Sequence, residues 1–395
     1  MSRTFKQLET KVVRAGQPDP RVLGAVVPPI FQSAMFEYAG ESSYHDLKYI
    51  RLNNTPTHAA LGAKLAAIEG GEAAVVAASG MAAISTTLLT VLTPGDRLLA
   101  QDCLYGGTHD LLTRELAELG IETDFIDADA PDSWERRLRP RTRAIYVETL
   151  TNPLLQLADL EAVASFARSH QLVSLVDHTF ATPVNFRPLE HGFDLVLHSA
   201  TKFLNGHSDI VAGAVIGSVA WIQRITHRLN HLGGSLDPHA CFLFDRGLKT
   251  LVLRVRHQNQ SARVIARGLE QHPAIARVNY PGLESHPRHE RAARLFGGFG
   301  GMLSFELTGG APAADRFIAH TTLPIVAPSL GGAETLLTRP ALTSHLGLSP
   351  EARHKAGISD GLIRMSVGLE STDEILEDLV QALDAVGTAV AESTT

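Results

Sequence analysis

From Thr57 onward the chain alternates between two hydrophobic periods. THAALGAKLAAIEGG spaces its apolar residues as one face of a helix and stops at Gly70-Gly71. The segment that follows, EAAVVAAS, is an apolar run of strand length. The same reading predicts helices at MAAISTTLLTVL, GGTHDLLTRELAELG and DLEAVASFARSHQ. It predicts strands at DRLLAQ, ETDFID, RAIYVET, LVSLVD, DLVLHS and IVAGAVIGS. Strands separated by helices at this spacing predict an α/β fold with a mostly parallel sheet flanked by helices.

Residues 1–56 keep neither period and carry Pro18, Pro20, Pro28, Pro29 and Pro56, which predicts an extended arm that lies on a partner subunit. After about residue 218 the rhythm slackens. Helices over 219–231 and 239–270 precede the short strands AIARVNY, GMLSFEL and LIRMSVG and a last helix, DEILEDLVQALDAVG, a pattern that predicts a smaller C-terminal α+β domain. The expected division is an arm over 1–56, a main domain over 57–250 and a second domain over 251–395.

Composition narrows the class. Of 395 residues, 44% are hydrophobic and 19% charged, which excludes disordered, collagenous and coiled-coil chains. The 35 basic and 42 acidic residues leave a net charge of −7 with no long single-sign block, so neither nucleic acid nor an anionic membrane surface is expected as a main partner. Cys103 and Cys241 do not make a disulfide framework and fit a reducing compartment. No apolar run approaches the roughly 18 residues of a membrane span, and MSRTFKQLETKVVRAG has no signal-peptide core. The expectation is a cytoplasmic protein with no membrane span.

Three segments carry chemistry. In DLVLHSATKFLNGHS, Lys202 follows an apolar strand among hydroxyls, where an amine must find a partner or lose basicity, as carbonyl condensation requires. Asp177 ends LVSLVD, at the carboxyl edge of the sheet where such folds bind ligands. Ser79-Gly80-Met81 lies between a strand and a helix, where backbone amides and the helix dipole hold phosphate. A phosphate seat, an acid for a ring nitrogen and an amine for an aldehyde fit pyridoxal 5′-phosphate, PLP. No metal is expected: His227 and His231 have helical i, i+4 spacing but no third ligand nearby. GGFGG, residues 297–301, lacks the context of a dinucleotide fingerprint, which argues against a nicotinamide dehydrogenase.

The segments YIR (49–51), EGGEAAVVAASGMAA, LYGGT, ETLTNP, DHTFATP, HSATKFLNGH, YPGLESHPRHE, SLGGAETL and GISDGLIRMSVGLE occur in an order that resembles the Cys/Met-metabolism, or trans-sulfuration, family of fold-type I PLP-dependent enzymes, from about Ala25 to about Glu370. The resemblance implies a PLP-dependent transferase-like fold with the cofactor in the 57–250 domain, and a homotetramer built as a dimer of dimers. It implies that Lys202 is the Schiff-base lysine, Asp177 the partner of the pyridine nitrogen and Tyr105 the ring that stacks on the cofactor. By the same resemblance Gly80, Met81, Ser199 and Thr201 hold the phosphate, and Tyr49 and Arg51 reach the phosphate of a neighbouring subunit. Arg364 is then the grip on the substrate α-carboxylate, with Asn152 and Ser329 beside it.

The activity so implied is γ-elimination or γ-replacement on sulfur amino acids, like that of cystathionine γ-lyases and γ-synthases. Methionine γ-lyase, O-acylhomoserine sulfhydrylase and cystathionine β-lyase are the alternatives within the family, and a catalytically silent PLP-binding scaffold is the alternative outside it. Glu334 matches the acid of the γ-lyase and γ-synthase pattern. Other positions depart. Lys48 stands where cystathionine-handling members carry an acid, and Asp110 where they carry an arginine; the two charges either clasp the distal group in another way or pair with each other. Gly107 occupies a position that is usually cysteine in methionine γ-lyases, and His178 one that is usually asparagine.

Overall fold

In the computed structural model, which describes residues 5–347 and 349–392, the chain divides into two units. The first gathers the chain up to Gln101, Gly107–Thr149 and Ala158–Val252; the second gathers Asp102–Gly106, Leu150–Leu157 and the chain from Leu253.

Strands β1 (Ala73–Ala77), β2 (Arg97–Gln101), β3 (Glu122–Ile126), β4 (Thr142–Glu148), β5 (Val173–Asp177), β6 (Leu195–Ser199) and β7 (Gly213–Gly217) build the sheet of the first unit. Their order is β1-β7-β6-β5-β4-β2-β3, and all neighbours run parallel except that β7 is antiparallel to both of its own. Leu175, Val176, Leu195, Val196 and Leu197 are buried, as strands covered on both faces require. Helices α1 (Leu8–Arg14), α2 (Pro56–Glu69), α3 (Gly80–Val91), α4 (Gly106–Asp110), α5 (Leu116–Glu118), α6 (Leu160–Ser169), α7 (Thr182–Asn185), α8 (Val219–Leu232) and α9 (Pro238–Leu248) complete it. Their starts follow local chemistry: Pro56 stands in the first turn of α2, and the side chains of Ser79, Asp159, Ser218 and Asp237 cap α3, α6, α8 and α9. Gly70, at φ 76°, stops α2 where the sequence places the stop.

Three segments differ from expectation. The arm contains α1, anchored by buried Val12. The segment 239–270 is two helices, α9 and α10 (Leu251–Glu270): at the break the amides of Lys249 and Thr250 turn to the carbonyls of Arg246 and Gly247, three residues back. Between α4 and α5 the backbone widens into a π turn over Leu111–Glu115, inside a stretch whose spacing reads as one helix.

The second unit carries β8 (Ile275–Asn279), α11 (His289–Leu295), β9 (Met302–Leu307), α12 (Gly310–His320), β10 (Ile325–Val326), β11 (Leu336–Thr338), α13 (Pro350–Lys355), β12 (Leu362–Ser366) and α14 (Thr372–Glu392). Its sheet runs β10-β11-β12-β9-β8, antiparallel apart from β10 with β11. Ile265 and Leu269 of α10, Phe305 of β9, Phe317 of α12 and Leu379 of α14 share one core with Ile363 and Met365 of β12, which fixes the strand that bears Arg364. Among the described residues, no helix is long and apolar enough to cross a membrane.

Candidate active site

In the first unit, the segment after β1 turns at Ser79, whose hydroxyl accepts from the Ala82 amide at 3.0 Å and starts α3. The amides of Gly80 and Met81 thus head the helix, where no carbonyl of its own can take them. A Cβ on Gly80 would lie 2.8 Å from Ser199 Cβ and 2.9 Å from its Oγ, so only glycine lets the end of β6 approach the helix start. Gly80, Met81 and Ser199 therefore converge. Thr201 behaves differently: its hydroxyl donates to the Ala212 carbonyl at 3.2 Å and accepts from the Ala212 amide at 3.0 Å, so it must turn before it can donate to a phosphate.

Asp177 ends β5 next to β6. Its Oδ1 accepts from the Thr179 amide at 3.0 Å and hydroxyl at 2.6 Å, while among the described residues its Oδ2 meets only the long 3.5 Å approach of Tyr146 Oη. The Thr179 hydroxyl in turn accepts from the Ser199 amide at 2.8 Å, so one threonine ties the carboxylate to the end of β6. Burial pushes the Asp177 carboxyl up from its ordinary value, and the two Thr179 donations act against that rise. Lys202, half-buried, lies in the turn beyond β6, its amide bonded to the Ser199 carbonyl at 3.1 Å and its carbonyl to the Gly206 amide at 2.8 Å. Thr179 and Tyr146 are site residues that the strand-end reading misses; the hydroxyl two residues after an aspartate is the signal that finds Thr179.

Tyr49 and Arg51 stay with the arm. Arg51 donates to the Asn230 carbonyl at 3.0 Å and to the Tyr44 hydroxyl, and its guanidinium lies 5.6 Å from the centre of the Tyr49 ring, which is 39% exposed.

The second unit holds the other residues. Arg364, on β12, is buried; Nη1 donates to Asn152 Oδ1 at 3.0 Å and Nη2 to the Ser329 carbonyl at 2.9 Å. Its Nε is buried without a hydrogen-bond partner among the described residues. Burial pulls the guanidinium down to about 10, with the Tyr105 phenol acting to raise it, so it stays charged at neutral pH. Ser329 adopts φ 91°, a strained conformation for a residue with a side chain, and this aims its carbonyl at Arg364. Tyr105 is 41% exposed, and Glu334 is also exposed. Among the described residues Lys48 and Asp110 do not pair with each other: Asp110 meets Arg114, four residues on, at 4.0 Å.

The comparisons with known proteins decide the class. The chain matches the family described as Cys/Met metabolism PLP-dependent enzyme over residues 9–384. It belongs to that family. The enzyme is 41% identical to cystathionine γ-lyase of Bacillus subtilis, over 96% of this chain and 99% of that one. It is 43% identical to L-methionine γ-lyase of Pseudomonas putida, over 95% and 97%. It is 40% identical to cystathionine β-lyase of Lactococcus lactis, over 95% and 99%. The crystal structure of cystathionine γ-lyase from Lactobacillus plantarum complexed with L-serine superposes with a TM-score of 0.92 at 36% identity, covering 97% of this chain and 100% of that one.

The enzyme is thus a PLP-dependent carbon–sulfur lyase by family, and an amino-acid substrate is consistent with it. The residues present fit that cofactor: the Gly80 cradle admits no Cβ, and among the described residues Asp177 Oδ2 has one distant donor.

Proposed function

We propose that this enzyme performs γ-elimination or γ-replacement on an amino acid with a homocysteine skeleton, with cystathionine- and methionine-type substrates first. The observation that carries the reading is the buried Arg364, whose Nη atoms are fixed by Asn152 and Ser329 while Nε keeps an unmatched donor suited to an α-carboxylate. When bound, PLP supplies an electron sink for negative charge at the substrate α-carbon.

The chain's own residues do the rest. Gly80 and Met81 amides and the Ser199 hydroxyl would hold the phosphate, Asp177 would keep a proton at the ring nitrogen, and Tyr105 would cover the ring. Lys202 would condense with the aldehyde and, once displaced by substrate, take the α-proton on Nζ. Arg364 would orient the substrate through its carboxylate. Once Lys202 has handed the α-proton on to the cofactor, its free amine would take a proton from Cβ and could return it to the departing γ-sulfur. Two buried, unlinked thiols support a cytoplasmic setting. We also read the assembly as a homotetramer in which Tyr49 and Arg51 serve a neighbouring subunit; exposed Leu23, Val26, Met35 and Tyr38 along the arm support this.

The test is product identification by mass spectrometry with PLP-loaded protein and L-cystathionine, L-methionine or O-acetylhomoserine, the last with and without a thiol, against Lys202→Ala as blank. 2-Oxobutanoate from cystathionine or methionine supports γ-elimination, and a new thioether only from the ester with thiol supports γ-replacement. Pyruvate as the sole 2-oxo acid, or turnover retained in Lys202→Ala, overturns the reading.

A further inference from the structure

A cluster of buried ionisable groups backs the ends of β5 and β6 and has no part in the chemistry above. Glu69, the last residue of α2, is 1% exposed, His198 of β6 is 1% exposed and His178, just past β5, is 0% exposed. His198 Nε2 lies 2.6 Å from Glu69 Oε1. His178 Nδ1 lies 2.8 Å from Thr149 Oγ1, and its Nε2 2.8 Å from the Phe186 carbonyl. The two imidazoles meet edge to face, with ring centres 5.4 Å apart.

The placement follows from the sheet. Side chains alternate along extended backbone, so His178 points away from the face used by Asp177, and His198 away from that used by Ser199. The cluster therefore sits behind the two residues that serve the cofactor ring and its phosphate. A carboxyl oxygen and an imidazole nitrogen at 2.6 Å require a proton between them, because their lone pairs otherwise repel. That contact is also the pair's hold on each other: Glu69 Oε2 and His198 Nδ1 have no hydrogen-bond partner among the described residues.

We propose that Glu69 and His198 form a neutral, hydrogen-bonded clamp that positions Asp177 and Ser199 for the cofactor, with His178 as the ring against which His198 is held. The inference rests on the reading of Asp177 and Ser199 as cofactor residues. Charge agrees with the geometry: burial raises the Glu69 carboxyl to about 7 and lowers the imidazoles of His198 and His178 to about 4, so between those values the three groups are uncharged and the Glu69 proton is available to bridge to His198. The other ionisable groups facing the cluster are Asp177 itself, Tyr146 beside it, and Arg187 and Glu190, which pair with each other at 2.9 Å.

The test compares parent, Glu69→Leu and Glu69→Gln apoproteins, with PLP as the probe. PLP affinity is measured by equilibrium titration, the bound cofactor's absorbance is titrated with pH, and melting is followed in parallel. Glu69→Leu, which keeps volume but not the hydrogen bond, is expected to weaken PLP binding at least about tenfold and to move the absorbance midpoint. Glu69→Gln, whose amide can donate to His198, is expected to keep both near the parent. Should Glu69→Leu not fold, His198→Asn, too short to reach Glu69, is read the same way.

A folded Glu69→Leu with parental affinity and midpoint, changed only in melting temperature, overturns the clamp while leaving the functional reading intact. Glu69→Gln matching Glu69→Leu overturns its neutral character. A parent that takes up no PLP overturns the functional reading and the clamp with it.

Discussion

Replacing Arg364 with lysine tests the proposed carboxylate grip separately from the proposed cofactor seat. Arg364 spends one donor on Asn152 Oδ1 at 3.0 Å and one on the Ser329 carbonyl at 2.9 Å, and keeps Nε unmatched. A hydrogen bond from a charged group contributes about 1.5–3 kcal/mol, so the two internal bonds are together worth roughly 3–6 kcal/mol. Lysine keeps the charge but has no planar fork, and can recover about one of them. The net loss of about 1.5–3 kcal/mol, felt by the substrate as lost positioning of the cation, corresponds to a fall in kcat/KM of roughly 13- to 160-fold. Steady-state kinetics on whichever amino acid turns over reads that fall, and a PLP titration of the same variant should match the parent. A kcat/KM within about threefold of the parent, or a PLP affinity that falls in step with activity, would refute the assignment.

Two further substitutions test other parts of the chain. Gly80→Ala places a Cβ 2.8 Å from Ser199 Cβ; overpacking of this kind costs about 1–3 kcal/mol, and cofactor affinity should fall about tenfold or more in a PLP titration, whereas unchanged affinity would refute the seat. Asp96 tests an ion pair away from the site: burial works against its charge but is outweighed by the Thr93 hydroxyl and amide and by Arg141 at 3.0 Å, which draw its carboxyl down from 3.8 to about 2. Because the folded value lies below the unfolded one, the stabilisation is present above about pH 4 and fades as pH falls toward 2. Asp96→Asn should lose about 1–2 kcal/mol at pH 7 in urea denaturation, and the difference from the parent should close in acid.

The parts of the fold legible in the sequence are those where local signals agree. The strands from β1 to β6, most of them centred on short apolar runs, each appear where the pattern places them. IVAGAVIGS pairs only from Gly213, since Ala212 is bonded to Thr201 instead. The break at Lys249–Thr250 is hidden because apolar spacing continues across it, and Gly247 gives the only local hint; a Cβ there would lie 2.3 Å from the Asn205 carbonyl oxygen. β10 and β11 are two and three residues long, too short for a period, and α12 reads weakly because alanines supply much of its apolar face.

At the proposed site, the positions of Asp177 at the end of β5, Gly80 at the start of α3 and Lys202 in the turn after β6 are legible, because each stands at or just past an element boundary that the apolar pattern marks. Glu69 and His198 are not, since 129 residues separate them and neither breaks the pattern of its own element. Asp110 shows the converse: family comparison draws the eye to Lys48, but Arg114, four residues on along the helix, is the charge that reaches it.

The central claim is that Lys202 holds PLP in this enzyme, and its most direct test is chemical. PLP-loaded protein is reduced with borohydride, digested and mapped by mass spectrometry, with Lys202→Ala treated in parallel. The account requires a pyridoxyl-phosphate mass addition on the peptide containing Lys202 and none in the variant. Label spread over surface lysines, concentrated on Lys64 or Lys249, or undiminished in Lys202→Ala would contradict it.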